Sequence, residues 1–243
     1  MMSSVRTESS LSPLDFYADH LDSFSMLLRR SLYTGLLPSP APGTVLFVGF
    51  SHLCDQVVTI SENMERAGLP ATASYHRLAA LPAWRRCVHS ARAVDGGSRD
   101  VSASRESFRE IAAPLRIAVD EMNDQIEMSP QPAGEWKPVI DTLGEDLLSR
   151  LVDASPSSLR RYANGTRSTP QDVAERLHFI AMVLADLAGS YNDFGIRRWF
   201  ARPRSALDGQ SPASYLGKDF DIDGESAAAV GRLARALTGA GAA

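Results

Sequence analysis

A mainly α fold is what this sequence predicts, on three observations. Apolar residues recur at helical spacing through most of the chain. Only Val45–Phe50 offers a run that could be a buried strand, and proline and glycine punctuate the rest at intervals suited to short helices. With 44% hydrophobic and 22% charged residues, the 243-residue chain can bury one large core or two modest ones.

The elements follow in order. Residues 1–13 are polar and serine-rich, have no apolar signal-like core, and are expected to form a flexible leader. Phe16, Leu21, Phe24, Leu27, Leu28 and Leu32 make 14–37 an amphipathic helix, closed by the proline-rich 38–43. For 44–68 the spacing of Leu46, Phe50, Leu53, Val57, Ile60 and Met64 favours a helix stopped at Gly68. Residues 74–94 read as helical on either side of Pro82. Residues 104–128 read as helical with a kink or break at Pro114, where a backbone donor is missing. The string Ser129-Pro130-Gln131-Pro132-Ala133-Gly134 is the best candidate for a linker. The expected organisation is therefore a leader at 1–13, an N-terminal mainly helical domain at 14–128 of unknown fold, and a linker at 129–134. A helix-turn-helix at 135–170, a small helical module at 171–237 and a flexible tail at 238–243 follow.

Composition also excludes. No apolar run is long enough to span a bilayer, and two cysteines form no disulfide framework, so a cytoplasmic, non-membrane protein is expected. The formal net charge of −4 argues against nonspecific coating of nucleic acid. That charge is uneven, because basic and acidic residues balance from Trp136 onward and the acidic excess lies before it. Two arginine clusters stand in the balanced part: Arg160, Arg161 and Arg167, then Arg197, Arg198, Arg202 and Arg204.

The informative stretch is 145–165. Two short helices meeting at a wide angle need a small residue at the crossing, and Ser149 supplies it. They also need a turn residue that tolerates positive φ, and Asp153 is among the few non-glycine types that do. Leu148, Val152, Leu159 and Tyr162 fall where they can lock the helices together. Ser155-Pro156 is an N-cap followed by proline at the first helical position, and Gly165 stops the helix. The outward face of that second helix presents Ser157, Ser158, Arg160, Arg161 and Asn164. A helix so held places its early residues at base edges in a major groove and its flanks at phosphates. Ser157 and Arg161 are assigned to bases. Arg160, Thr166 and Arg167 are assigned to the backbone, with the amide end capped by Ser155 also suited to a phosphate.

These residues resemble the Xre/MbcA/ParS-type antitoxins. The resemblance rests on Leu151-Val152-Asp153-Ala154-Ser155-Pro156-Ser157-Ser158 with Arg161-Tyr162 and Gly165, and on the helix holding Ala174, Arg176, Leu177 and Ile180. It continues through Trp199-Phe200 and Pro203 to Leu207-Asp208-Gly209-Gln210-Ser211-Pro212-Ala213-Ser214-Tyr215-Leu216. It covers roughly 139–237 and implies a homodimer that binds double-stranded DNA. It also implies a partner toxin of the NAD-consuming RES-domain type, contacted through Trp199, Phe200, Arg202, Pro203, Leu207, Gly209, Pro212 and Leu216. The expected function is a DNA-binding transcriptional regulator, and the alternative is an antitoxin that neutralises such a toxin and autoregulates its operon.

Other constellations carry less. His52-x-Cys54 and Cys87-x-His89 resemble zinc ligands, but i,i+2 spacing on helices does not bring both to one face, so no metal is expected. Asp193-Phe194-Gly195 lacks the motifs that would make it a kinase triplet. His178, between Leu177 and Phe179, reads as a satisfied, partly buried histidine. With no nucleophile–base pair, phosphate loop or carboxylate cluster, the chain is not expected to be an enzyme or to need a cofactor. An enzyme in the N-terminal region is the least supported reading.

Overall fold

The computed structural model describes residues 13–38, 50–92 and 101–238. Among these the protein is all helix and turn, with twelve α-helices and one short 3₁₀ turn. The expected leader at 1–12, the strand-or-helix ambiguity at 44–49 and the tail from 239 lie outside the described residues. The chain divides into two compact units, 1–24 with 43–122 and 25–42 with 123–243.

In the first unit, α2 (Phe50–Arg66), α3 (Ala73–Ala80), α4 (Pro82–Arg92) and most of α5 (Val101–Glu127) surround one core. Helix α2 buries Leu53, Val57, Ile60 and Met64, the stripe that its spacing predicts. It ends as expected, with Gly68 at φ 84° and the Leu69 amide donating to the Met64 carbonyl at 2.8 Å. Pro82 separates α3 from α4, but Pro114 does not break α5, contrary to the expected kink or break. Ile111, Leu115, Ala118, Val119 and Met122 stay fully buried along one face. The carbonyl left without its amide belongs to Glu110, an exposed residue that water can serve.

The second unit is built around α9 (Gln171–Leu187), buried on nearly every side from Val173 to Leu187. Packed about it are the last turns of α1 (Pro13–Tyr33), α6 (Pro132–Leu143), α7 (Glu145–Leu151) and α8 (Pro156–Ala163). After α9 come α10 (Asp193–Ala201), the 3₁₀ turn Ser205–Leu207, α11 (Pro212–Leu216) and α12 (Glu225–Thr238). The expected linker at 129–134 is not a loose connector. Pro132 opens α6, and Gly134 lies so close to Gly35 that a Cβ on Gly35 would meet the Gly134 Cα at 2.6 Å. Two backbones approach there because neither residue has a side chain. Residues 25–42 accordingly group with the second unit. Arg30 donates to the Asn123 carbonyl at 3.0 Å and pairs with Glu127 at 2.8 Å.

Candidate nucleic-acid interface

Helix α7 stops because Asp153 adopts the left-handed conformation, with φ 50°. Its neighbour Ala154 then donates its amide back to the Ser149 carbonyl at 3.1 Å, which satisfies one of the carbonyls a helix end leaves open. Arg176 of α9 fixes the same corner, donating to the Val152 carbonyl at 3.2 Å while it pairs with Asp172. The turn thus has one strained residue and two external supports. Asp153→Val is expected to destabilise the second unit by about 1–2 kcal/mol, because a β-branched residue resists positive φ, whereas Asp153→Gly is expected to be tolerated. Equal midpoints for the two variants in urea unfolding would contradict this.

Helix α8 then begins as its sequence dictates. Ser155 is extended and its hydroxyl accepts the Ser158 amide at 3.2 Å, with Pro156 at the first helical position. The same hydroxyl lies 3.0 Å from those of Ser157 and Ser158, so a knot of three serines sits at the helix start. Leu148, Val152, Leu159 and Tyr162 are all buried, and they lock α8 to α7 as expected. Gly165, at φ 72°, ends the helix, and Asn164 turns its side chain onto the Thr166 amide and hydroxyl.

Buried Leu159 and Tyr162 leave the opposite face to solvent. Ser157, Arg160, Arg161, Asn164, Thr166 and Arg167 are exposed and Ser158 is half-buried. The arginines differ in their engagements. Arg160 is held on Glu145 by a two-pronged ion pair, with Nε 2.9 Å from Oε1 and Nη2 2.6 Å from Oε2. Its guanidinium keeps the exposed Glu145 below the usual carboxylate range. Arg167 lies over the Tyr162 ring, 5.4 Å from its centre. Arg161 contributes its carbonyl to the local framework, accepting the Arg167 amide at 3.1 Å, while its side chain stays exposed.

The residue that sets α8 against the rest of the unit is one to which the sequence reading gave no role. Trp136 of α6 is buried, stacks on Tyr162 with ring centres 5.6 Å apart, and donates from Nε1 to the Thr169 hydroxyl at 3.0 Å. Its place on the Trp136, Val139, Leu143 stripe was the available signal. Arg150 and Lys218 were also overlooked. Both are exposed and both line an open groove of about 760 Å³ that Asp153, Ser155 and Pro156 share.

The residues assigned to a toxin divide differently. Trp199, Phe200, Leu207, Pro212 and Leu216 are buried in the unit's own core and are not available as a surface. Helix α10 turns Ile196, Trp199 and Phe200 inward together. The last two rings meet edge to face at 5.1 Å, and Arg204 covers Trp199 at 5.4 Å. Of that set, Arg202, Pro203 and Gly209 are exposed. The local reading of the motif does hold: Gly209 is left-handed, and Ser211 caps α11 through the Ser214 amide with Pro212 first in the helix. Asp208, at φ 53°, joins Gly209 in the turn, which sequence reading did not foresee.

His178 is buried and satisfied at both ring nitrogens, by Glu135 Oε1 at 2.6 Å and by the Glu127 carbonyl at 2.9 Å. Among the described residues no three of His, Cys, Asp and Glu gather as a metal site, and no helix is long and apolar enough to cross a membrane. Comparison with protein-family models, with curated proteins and with solved structures finds no match to this chain.

Proposed function

We propose that the chain is a sequence-specific DNA-binding regulator in which α8 enters the major groove. One observation carries the reading. A helix of eight residues, anchored by Leu159 and Tyr162 beneath, presents Ser157 and Arg161 outward with free side-chain reach. Arg161 suits a guanine edge, a contact typically worth ~1–3 kcal/mol of discrimination. Arg167 flanks the helix for phosphates, and Arg150 and Lys218 add positive charge along the groove beside its N-terminus.

Arg160 takes a conditional part in this reading. Glu145 competes with phosphate for its guanidinium, so Glu145→Ala is expected to tighten duplex binding and to steepen the salt dependence by about one counterion. Titrating a duplex at several salt concentrations measures both. Unchanged slope and affinity would mean that Arg160 never reaches the backbone.

The resemblance to the Xre/MbcA/ParS-type antitoxins implies a homodimer, which would read two half-sites about ten base pairs apart. Selection from a random duplex pool with the full chain tests the whole reading. Enrichment of a two-fold motif is the expected outcome. Recovery of duplexes with no shared sequence, or no retention at moderate salt, would contradict it. Sedimentation at micromolar concentration separately tests the dimer.

A further inference from the structure

The first unit holds the chain's two cysteines, Cys54 on α2 and Cys87 on α4, and neither is in a disulfide in this structure. Helices α2 and α4 pack on one another, and the two sulfurs stand within hydrogen-bonding reach across that contact. Cys54 is fully buried beside Leu53 and Val57, whereas Cys87 keeps 8% of its surface open. Arg86 precedes Cys87, spans to the Ser107 hydroxyl at 3.2 Å and pairs loosely with Glu110 of α5 at 3.6 Å.

We propose that Cys54 and Cys87 are a peroxide-responsive dithiol that closes to an intramolecular disulfide, with Cys87 reacting first and Cys54 resolving it. Their surroundings give them different roles. Hydrogen bonding from the Cys54 thiol lowers the Cys87 pKa, outweighing burial, and the Arg86 charge adds to the effect. Burial pushes Cys54 the other way, which keeps it a protonated donor until it is needed. A low-pKa thiol at the rim beside a cation, with a second thiol in reach, is the arrangement that peroxide oxidises selectively.

The chemistry balances with hydrogen peroxide as the oxidant. The Cys87 thiolate attacks one peroxide oxygen, an S–O bond forms as the O–O bond breaks, and the departing hydroxide takes a proton to become water. The Cys54 sulfur then attacks Cys87, an S–S bond forms, and the S–O bond breaks to release a second water. Two thiols lose two electrons in all and one peroxide becomes two waters. A phosphine reductant reverses the change.

The test uses the full chain exposed to hydrogen peroxide, alkylated, and mapped by mass spectrometry without reduction. The expected result is loss of both alkylatable thiols and a Cys54–Cys87 linked peptide pair lighter by two hydrogens, restored by phosphine. In Cys54→Ser the expected product is a sulfenic acid at Cys87 that dimedone captures, and in Cys87→Ser the remaining Cys54 is expected to stay reduced over the same time. Retention of both thiols in the unaltered chain, linkage only between two chains, or oxidation of Cys54 ahead of Cys87 would overturn the proposal.

Discussion

Trp136→Ala is expected to lower the stability of the second unit by about 3–5 kcal/mol, the usual cost of emptying a large aromatic site in a core. The side chain is only 1% exposed, and its loss removes three things at once. These are the packing among Val139, Leu143 and their neighbours, the stacked contact with Tyr162, and the hydrogen bond to Thr169. Trp136→Phe keeps most of the ring and loses only the bond, so it should cost roughly 1 kcal/mol beyond the small change in volume. Urea unfolding followed through the second unit's transition separates the two. The alanine variant is also expected to loosen α8, so its amides should exchange with solvent faster than those of α9. A change below about 1 kcal/mol for alanine would mean that α8 does not rest on this residue.

Glu135→Ala is expected to cost a similar amount, about 3–5 kcal/mol, because it leaves a buried partner unpaired. Glu135 is itself fully buried, bonded to the His178 ring at 2.6 Å and to the Gln131 amide at 2.9 Å. Burial alone would push the His178 ring toward neutrality. Its bonds to Glu135 and to the Glu127 carbonyl outweigh that, and its pKa stands above the ordinary 6.5. A histidine raised in the folded state contributes stability that is complete below its unfolded value and is lost as pH rises through the folded one. Asp186, on the same helix, leans the same way. Burial raises its carboxyl from 3.8 to about 6 against the pull of Arg30 and Arg235. Its folded-state preference for a proton is complete below 3.8 and fades as pH climbs through about 6. Between about pH 5 and 8 the stability of the second unit should therefore fall as pH rises. Asp186→Asn should flatten the acidic part of that slope and Glu135→Ala the part nearer neutrality. A stability that rose across this interval would contradict the assignment. Glu135→Gln keeps an acceptor for the ring and is expected to retain most of the stability lost in the alanine variant.

What the sequence made legible was local. Ser155-Pro156 and Gly165 bound α8 because a cap, a first-position proline and a left-handed stop act within one turn. Asp153 was legible for the same reason, since few residue types adopt its backbone conformation. The contacts between elements were not. Nothing in the spacing says that Glu145 lies under Arg160, because that depends on the angle at which α7 and α8 cross. Periodicity marked Trp199, Phe200 and Leu216 as a coherent apolar set but could not say whether a partner or the chain's own helices cover them. The linker expected at 129–134 has a turn-like composition, yet Gly134 is there for close backbone packing against Gly35. Cys54 and Cys87 were weighed by their spacing to nearby histidines, whereas the packing of α2 on α4 brings them to each other.

The most direct measurement is the binding of Arg161→Ala to the duplex selected by the unaltered chain and to variants of it at each base pair. Loss of about 1–3 kcal/mol on the selected duplex, with discrimination relaxed at one base pair in each half-site, is the expected result. Unchanged affinity and an unchanged preference at every position would show that α8 does not read the duplex through this side chain.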